Sequence, residues 1–283
     1  AWYTSPIRLP ERIVGKFSVK HRIVKDSTPV IGQRQAFLRG LRPVNAILKK
    51  PLRIHELHEE KNCMWMTDLP EELNQIEEML YNVKPQGRVL VGGLGLGIVA
   101  KRLTEIISVT EITVVEKAAE VIELCRTPGY RIVHGDILDF VKEPNRIPYD
   151  YCLLDTWCGT NEATWWGTVL PLRRAIRNRW GRKPVIHCWA EDIMLGQVRH
   201  SLIVDDMKRQ MLELHNADLK KQGKKPLPLQ ACRTWYYKYF PMDMTAKEIM
   251  WFTEQVGTEV WEQKYGALID RTYAELNHKR STA

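Results

Sequence analysis

Four glycines within six residues, at positions 92, 93, 95 and 97, follow the apolar run Val89-Leu-Val91 and precede Ile98-Val-Ala-Lys-Arg-Leu103. Glycine permits a sharp turn and lets a ligand approach the backbone where any Cβ would collide. A helix that begins just after such a turn aims free N–H groups and the positive end of its dipole at the same place. The chemistry this predicts is the binding of a nucleotide-type ligand. Three acids reinforce it, each closing an apolar run: Glu116 in Glu111-Ile-Thr-Val-Val-Glu116, Asp136 in Tyr130-Arg-Ile-Val-His-Gly-Asp136, and Asp155 in Tyr149-Asp-Tyr-Cys-Leu-Leu-Asp155. Glu116 falls roughly twenty residues past the glycines, where a ribose-hydroxyl acceptor belongs in a mononucleotide-binding half.

The elements that must position these residues follow from the pattern. The apolar runs read as short buried parallel strands, with a fifth at Lys183-Pro-Val-Ile-His-Cys-Trp189. Helical spacing over 97–107, 117–126 and 161–180 alternates with them, which gives an α/β order with acids at successive strand ends. The glycines fit G-x-G-x-G, Gly93-Leu-Gly95-Leu-Gly97, and not the dinucleotide pattern G-x-G-x-x-G.

This combination resembles motif I and its neighbours in the class I S-adenosylmethionine (SAM) methyltransferases. The resemblance implies a Rossmann-like class I SAM-binding fold, a parallel-rich twisted sheet flanked by helices, with SAM as cofactor. It implies a cofactor site drawn from Gly92, Gly93, Leu94, Gly95, Gly97, Glu116, Lys117, Asp136, Ile137 and Asp155. Asp136 is placed by the resemblance at the adenine amino group.

The flanks refine the picture. Residues 1–67 read as a β-rich unit: Gly15–Val24 alternates polar and apolar, and Leu52–Leu57 with Cys63–Met66 forms a hairpin whose tip is Glu59-Glu-Lys-Asn62. Asp68 is placed to cap a helix with Pro70 in its first turn and Leu73, Ile76, Met79 and Leu80 on one face. The core then spans 68–202. Residues 203–283 read as a mainly helical extension packed on the core, with a polar helix over 205–221, a strand-like run Thr234–Phe240 and a capping box Thr245-Ala-Lys-Glu248.

A small β unit ahead of such a core resembles the spermidine synthase-like branch, as does an apolar strand running straight into Gly92-Gly93. That branch places an acid inside the glycine loop and a second acid three residues after the one that ends strand four. This chain has Leu94 and Leu96 in the loop and Cys158 after Asp155-Thr-Trp. Methyl transfer is therefore expected over aminopropyl transfer, with aminopropyl transfer or another SAM-consuming reaction as the alternative. A non-catalytic nucleic-acid-binding module is the alternative of a different class.

Methyl transfer from a sulfonium chiefly requires nucleophile, carbon and sulfur to be held in line away from water, with a base only if the nucleophile must lose a proton. Asp155 is the catalytic candidate, with Trp157 beside it as an aromatic wall; the competing reading is a cap for the next turn. His187 reads as a core histidine, and Glu191 and Asp192 as acids suited to a helix start. His55 and His58 lie three apart on a strand and face opposite ways, which disfavours a shared metal, and no metal is expected.

A formal net charge of +8 favours an acidic partner, and Arg173-Arg174, Arg177, Arg179 and Arg182-Lys183 form its densest cluster. A solvated helix face is the default for that cluster, with phosphate contact the alternative. A small-molecule acceptor is preferred, nucleic acid through Arg173–Lys183 and a homodimer are kept as further partners, and no membrane association is expected. Six cysteines without a C-x-x-C pair, and no signal-peptide layout at the start, read as reduced core thiols in a cytoplasmic protein.

Overall fold

Two sheets share one apolar core. Phe17, Val19 and Leu57 from the first pack with Ile7 ahead of it, with Leu73, Ile76 and Leu103 from helices, and with Val89, Val91 and Val114 of the second. The structure is a computed structural model, which describes residues 5–32, 42–60, 63–144, 147–158, 164–191, 193–194, 213 and 216–227.

The first sheet is antiparallel, in the order β1 (Arg12–Val14), β2 (Phe17–Val24), β5 (Leu52–Glu59), β6 (Cys63–Thr67); β3 (Ser27–Ile31) and β4 (Val44–Ile47) pair separately. The hairpin of β5 and β6 is as expected. The strand expected over 15–24 is present as β2; what the pattern did not show is its short partner β1, which joins it through a turn at Gly15 (φ 55°). The alternation misleads because Phe17, Ser18 and Val19 are buried in succession. Helix α3 (Ala119–Cys125) packs on β1 and β2, and its Val121 and Leu124 join Phe17 and Val19 in the common core.

Helix α1 (Pro70–Val83) begins on a proline, buries Leu73, Ile76, Met79 and Leu80, and ends at Lys84 in the left-handed region. Asp68 does not cap it. Its carboxylate turns back to β5, accepting the His55 amide at 2.6 Å and the His55 ring Nδ1 at 2.7 Å, while His55 Nε2 lies 3.4 Å from the Leu9 amide as its acceptor. A fully buried carboxylate needs stronger compensation than a helix amide gives, and two donors from one histidine supply it.

The second sheet is parallel throughout. Its strands β7 (Gly87–Gly92), β8 (Val109–Glu116), β9 (Arg131–His134), β10 (Tyr151–Leu154) and β11 (Val185–Cys188) lie in the order β11-β10-β7-β8-β9. This is the doubly wound Rossmann-like arrangement, in which the chain builds outward from β7 to one side and then to the other. Helices α2 (Ile98–Leu103), α3 (Ala119–Cys125), α4 (Ile137–Lys142) and α5 (Leu170–Trp180) connect the strands. The α/β class and the five strands are as expected; α4 is an addition.

Contacts join residues 1–194 into one unit, inside which the boundary expected at 67/68 falls, and 195–283 into another. In the second unit, residues 216–221 are helical, and Asn216 exchanges two hydrogen bonds with the Leu227 backbone. The expected strand 234–240, the capping box at 245–248 and the last helices lie outside the described residues. Among the described residues, no helix is long and apolar enough to cross a membrane, and Cys125, Cys152 and Cys188 are buried free thiols.

Replacing Asp68 with Ala leaves two buried donors of His55 unsatisfied and should cost about 2–3 kcal/mol in urea unfolding. Asp68→Asn, which keeps one acceptor, should cost less. Equal, negligible losses would show that the His55–Asp68 link does not hold β5 to the start of α1.

Candidate active site

The site is set by two neighbouring strands whose chain continuations part. After β7 the chain leads to β8 on one side, and after β10 to β11 on the other, which opens a crevice at the carboxyl ends. The two ends are pinned together: the Asp155 amide donates to the Gly92 carbonyl at 2.8 Å, and the Gly93 amide to the Val115 carbonyl at 2.9 Å.

Two glycines in the loop are required by space as well as conformation. Gly93 has φ 90°, and a Cβ there would lie 2.1 Å from the Asp155 carbonyl oxygen. Gly95 has φ 52°, and its Cβ would meet the Met66 sulfur at 2.6 Å. Met66 reaches over from β6, and its Sδ lies 3.3 Å from the Leu96 amide. A bulky residue at 95 thus strains the loop itself. Leu94 and Leu96, which replace the acids of the resembled branch, are buried in the core.

A cavity of about 710 Å³ lies over this crevice. Of the residues expected at a cofactor site, Gly93, Leu94, Gly95, Glu116, Lys117, Asp136, Ile137 and Asp155 line it; Gly92 and Gly97 lie behind, ending β7 and opening α2. Glu116 is held by the loop it faces, accepting the Leu94 amide on Oε2 and the Ala118 amide on Oε1, both at 2.8 Å. Asp136 caps α4 through the Leu138 amide at 2.8 Å and pairs with Lys117 at 3.1 Å. Hydrogen bonds from the Leu138 amide and Lys117 hold its carboxyl below the ordinary range against the opposing effect of burial, which is the largest single influence on it.

Sequence reasoning missed the contribution of the N-terminal sheet. Leu57, Trp65 and Met66 form one wall, and α1 supplies Glu72. Glu72 had a legible signal: it sits four residues before Ile76 and seven before Met79, on the stripe that faces the core, where an acid is out of place. Its Oε2 accepts both the Thr67 amide at 2.9 Å and the Thr67 hydroxyl at 2.7 Å. Burial nevertheless pushes its carboxyl up to about 7, with the Asp155 charge adding to the effect. Asp155 is exposed toward the cavity, and the protein that lines the cavity around it nevertheless pushes its carboxyl up, to about 7. Trp157, His187 and Trp189 complete the far wall, which makes His187 a cavity residue and not a core one.

The basic cluster is largely committed elsewhere. Arg173 pairs with Glu191 and donates to the Ile186 carbonyl at 3.2 Å; Arg177 donates to the Pro184 carbonyl at 2.9 Å; Lys183 pairs with Asp150 at 3.3 Å. The two arginines thus tie α5 to β11 and its flanks, while Arg177 stays exposed, in keeping with the solvated helix face expected by default. Glu191 is the partner of Arg173 and of the Trp165 indole, and Asp192 lies outside the described residues. A π-type turn, Trp165–Val169, precedes α5 and puts Gly167 and Thr168 on the cavity rim; Pro171, next in line, lacks the amide that a regular turn would need.

No protein-family model matches the chain, and no curated protein does. Among solved structures, an amino pentose methyltransferase of calicheamicin biosynthesis from Micromonospora echinaspora is 18% identical, covers 41% of this chain and 49% of its own, with a TM-score of 0.30. A SAM-dependent methyltransferase from Clostridium acetobutylicum is 18% identical over 40% and 46%, with a TM-score of 0.30. A protein-L-isoaspartate O-methyltransferase is 15% identical over 47% and 38%, with a TM-score of 0.32. The chain spans about half the length, or less, of these structures.

Asp155 gives a signed prediction. Its ordinary carboxyl value is 3.8 and its folded value about 7, so the folded protein holds this proton more tightly than the unfolded chain. Stability from this group is fully present below about pH 4 and is lost as pH rises through about 7. Asp155→Asn removes that loss and should raise stability at pH 8 by about 1 kcal/mol, discounted for access of cavity water, with no gain at pH 4. Urea unfolding at the two pH values checks this; an equal effect at both would overturn the assignment.

Proposed function

We propose that the protein is a SAM-dependent methyltransferase acting on a small-molecule acceptor. The observation that carries this reading is the crevice between β7 and β10, where the loop Gly93–Gly97 and the strand-end acids Glu116, Asp136 and Asp155 open onto one cavity. The volume of about 710 Å³ lies within the range of roughly 300–1,000 Å³ for small-molecule sites.

The residues present fit the cofactor. Each Glu116 oxygen accepts only one backbone amide, so the carboxylate keeps lone pairs for two ribose hydroxyls while its orientation is already fixed. Asp136, Ile137 and Leu138 offer a polar edge and an apolar face for a purine. When bound, SAM supplies a methyl group already activated on a sulfonium. The chain's own task is to hold the acceptor beside Asp155, Trp157 and Trp189 and to keep water from that end of the cavity.

Within the class, the N-terminal antiparallel sheet and the apolar run into Gly92-Gly93 support a place in the spermidine synthase-like branch. The acids that branch uses are replaced by Leu94, Leu96 and Cys158, which supports methyl over aminopropyl transfer. A small acceptor is favoured over nucleic acid because Arg173, Arg177 and Lys183 already serve α5 and β11.

Gly135 provides a clean test. It lines the cavity, and a Cβ built on it meets nothing within 4 Å. Gly135→Phe should fill the nucleoside end without straining the fold. Calorimetry should show S-adenosylhomocysteine binding to the native protein and at least about a tenfold loss, about 1.4 kcal/mol, in the variant at unchanged thermal stability. Unaltered affinity would move the cofactor elsewhere.

A further inference from the structure

A second, smaller cavity adjoins the first. It measures about 250 Å³, lies along β6 and the start of α1, and shares Trp65, Met66, Glu72 and Trp189 with the site over the glycine loop. The rest of its lining is Met64, Thr67, Leu69, Glu71 and Gln75.

Its form follows from an irregularity in the first sheet. Leu57 of β5 faces Met66 of β6 and His58 faces Met64, so Trp65 is an extra residue without a partner on β5. Neighbouring side chains on a regular strand point to opposite faces, and a bulge of this kind re-aims one of them. Trp65 and Met66 accordingly line the same two spaces. The indole is then fixed in place: its Nε1 donates to Glu59 Oε2 at 2.8 Å, and Lys16 pairs with the other Glu59 oxygen.

The groove offers apolar contact and little else. Thr67 is spent, since its amide and hydroxyl both donate to Glu72 and its oxygen accepts the Leu69 amide at 3.2 Å. Glu71 and Gln75, one turn apart on α1, are the other polar side chains, and no lysine, arginine or histidine stands among the described residues of the lining. A tail ending in phosphate or carboxylate would therefore meet Glu71 and no cation. Met64 and Trp65, adjacent in sequence, are 52% and 37% exposed. Apolar surface of this kind beside a cavity marks a place where a ligand takes the place of water, and methionine adapts to the shape of a flexible chain. Continuity decides the occupant. A volume below the roughly 300–1,000 Å³ of an independent small-molecule site, joined to the main cavity by four shared residues, extends the first site. Resting on the methyltransferase reading, we propose that the acceptor is an elongated molecule with an apolar tail, its reacting end in the main cavity beside Asp155 and its tail past Trp65 in the groove along β6.

The test titrates 1-butanol, 1-hexanol and 1-octanol by calorimetry into the full chain saturated with S-adenosylhomocysteine. Burying one methylene is worth about fourfold in affinity, so octanol should bind at least about tenfold tighter than hexanol. Met64→Glu, which puts a charge in the groove and not in the main cavity, should remove most of that gain while leaving butanol and S-adenosylhomocysteine affinities within about twofold. Gln75→Leu should strengthen octanol binding at least about threefold and leave butanol unaltered. Equal affinity for hexanol and octanol, or a length dependence that Met64→Glu leaves untouched, overturns the proposal. Should that variant fail to fold, the gain with Gln75→Leu supports the groove and its absence overturns it. If S-adenosylhomocysteine does not bind, the methyltransferase reading fails; the same series on the native protein and the two variants still decides the groove, because Met64 and Gln75 line it and not the main cavity.

Discussion

The close approach of two backbones at the ends of β7 and β10 governs the rest of the site. The Asp155 amide reaches the Gly92 carbonyl, and the Asp155 carbonyl stands where a side chain at 93 would be. Beyond this last rung of their parallel ladder, one chain turns toward β8 and the other toward β11. The crevice is what remains between them. Its floor is backbone, which leaves the chemistry to acids carried just past the strand ends.

The same constraint explains why the N-terminal sheet belongs to the site. A glycine loop with positive φ at 93, 95 and 97 has little side-chain mass of its own to bury. Met66 fills that deficit from β6, close enough to exclude a Cβ at 95. The price of such packing is a rigid link between the two sheets, and the buried pair of His55 and Asp68 secures the β5 side of it. With β6 over the loop, α1 follows directly and brings Glu72 to the same cavity that Asp155 lines. Burial then raises both carboxyls, so the geometry of packing becomes the acid–base character of the site.

Charge shows the same division between composition and placement. The arginines of α5 look like a binding face when counted along a helix. Arg173 and Arg177 instead satisfy carbonyls and Glu191 near β11, where a strand end would otherwise leave acceptors bare. The basic excess of the chain is thus partly structural, while the cavity carries the opposite sign.

By itself the sequence determined what depends on local pattern. Short apolar runs closing on Glu116, Asp136 and Asp155, with glycines between the first strand and helix, dictate parallel strands and a turn that only glycine can make. The face of α1 was equally legible from its 3.6-residue period. The tertiary structure decided what depends on neighbours remote in the chain. Asp68 had the spacing of a cap, yet burial beside His55 made it a partner for two donors. Ser18 belongs to the polar half of an alternation, yet it is buried in the folded chain. Glu72 stood out only as an acid on an apolar stripe; that it lines the same cavity as Asp155 depends on the N-terminal sheet and α1 lying beside the glycine loop, where Met66 approaches Leu96 across 30 residues that no local period spans.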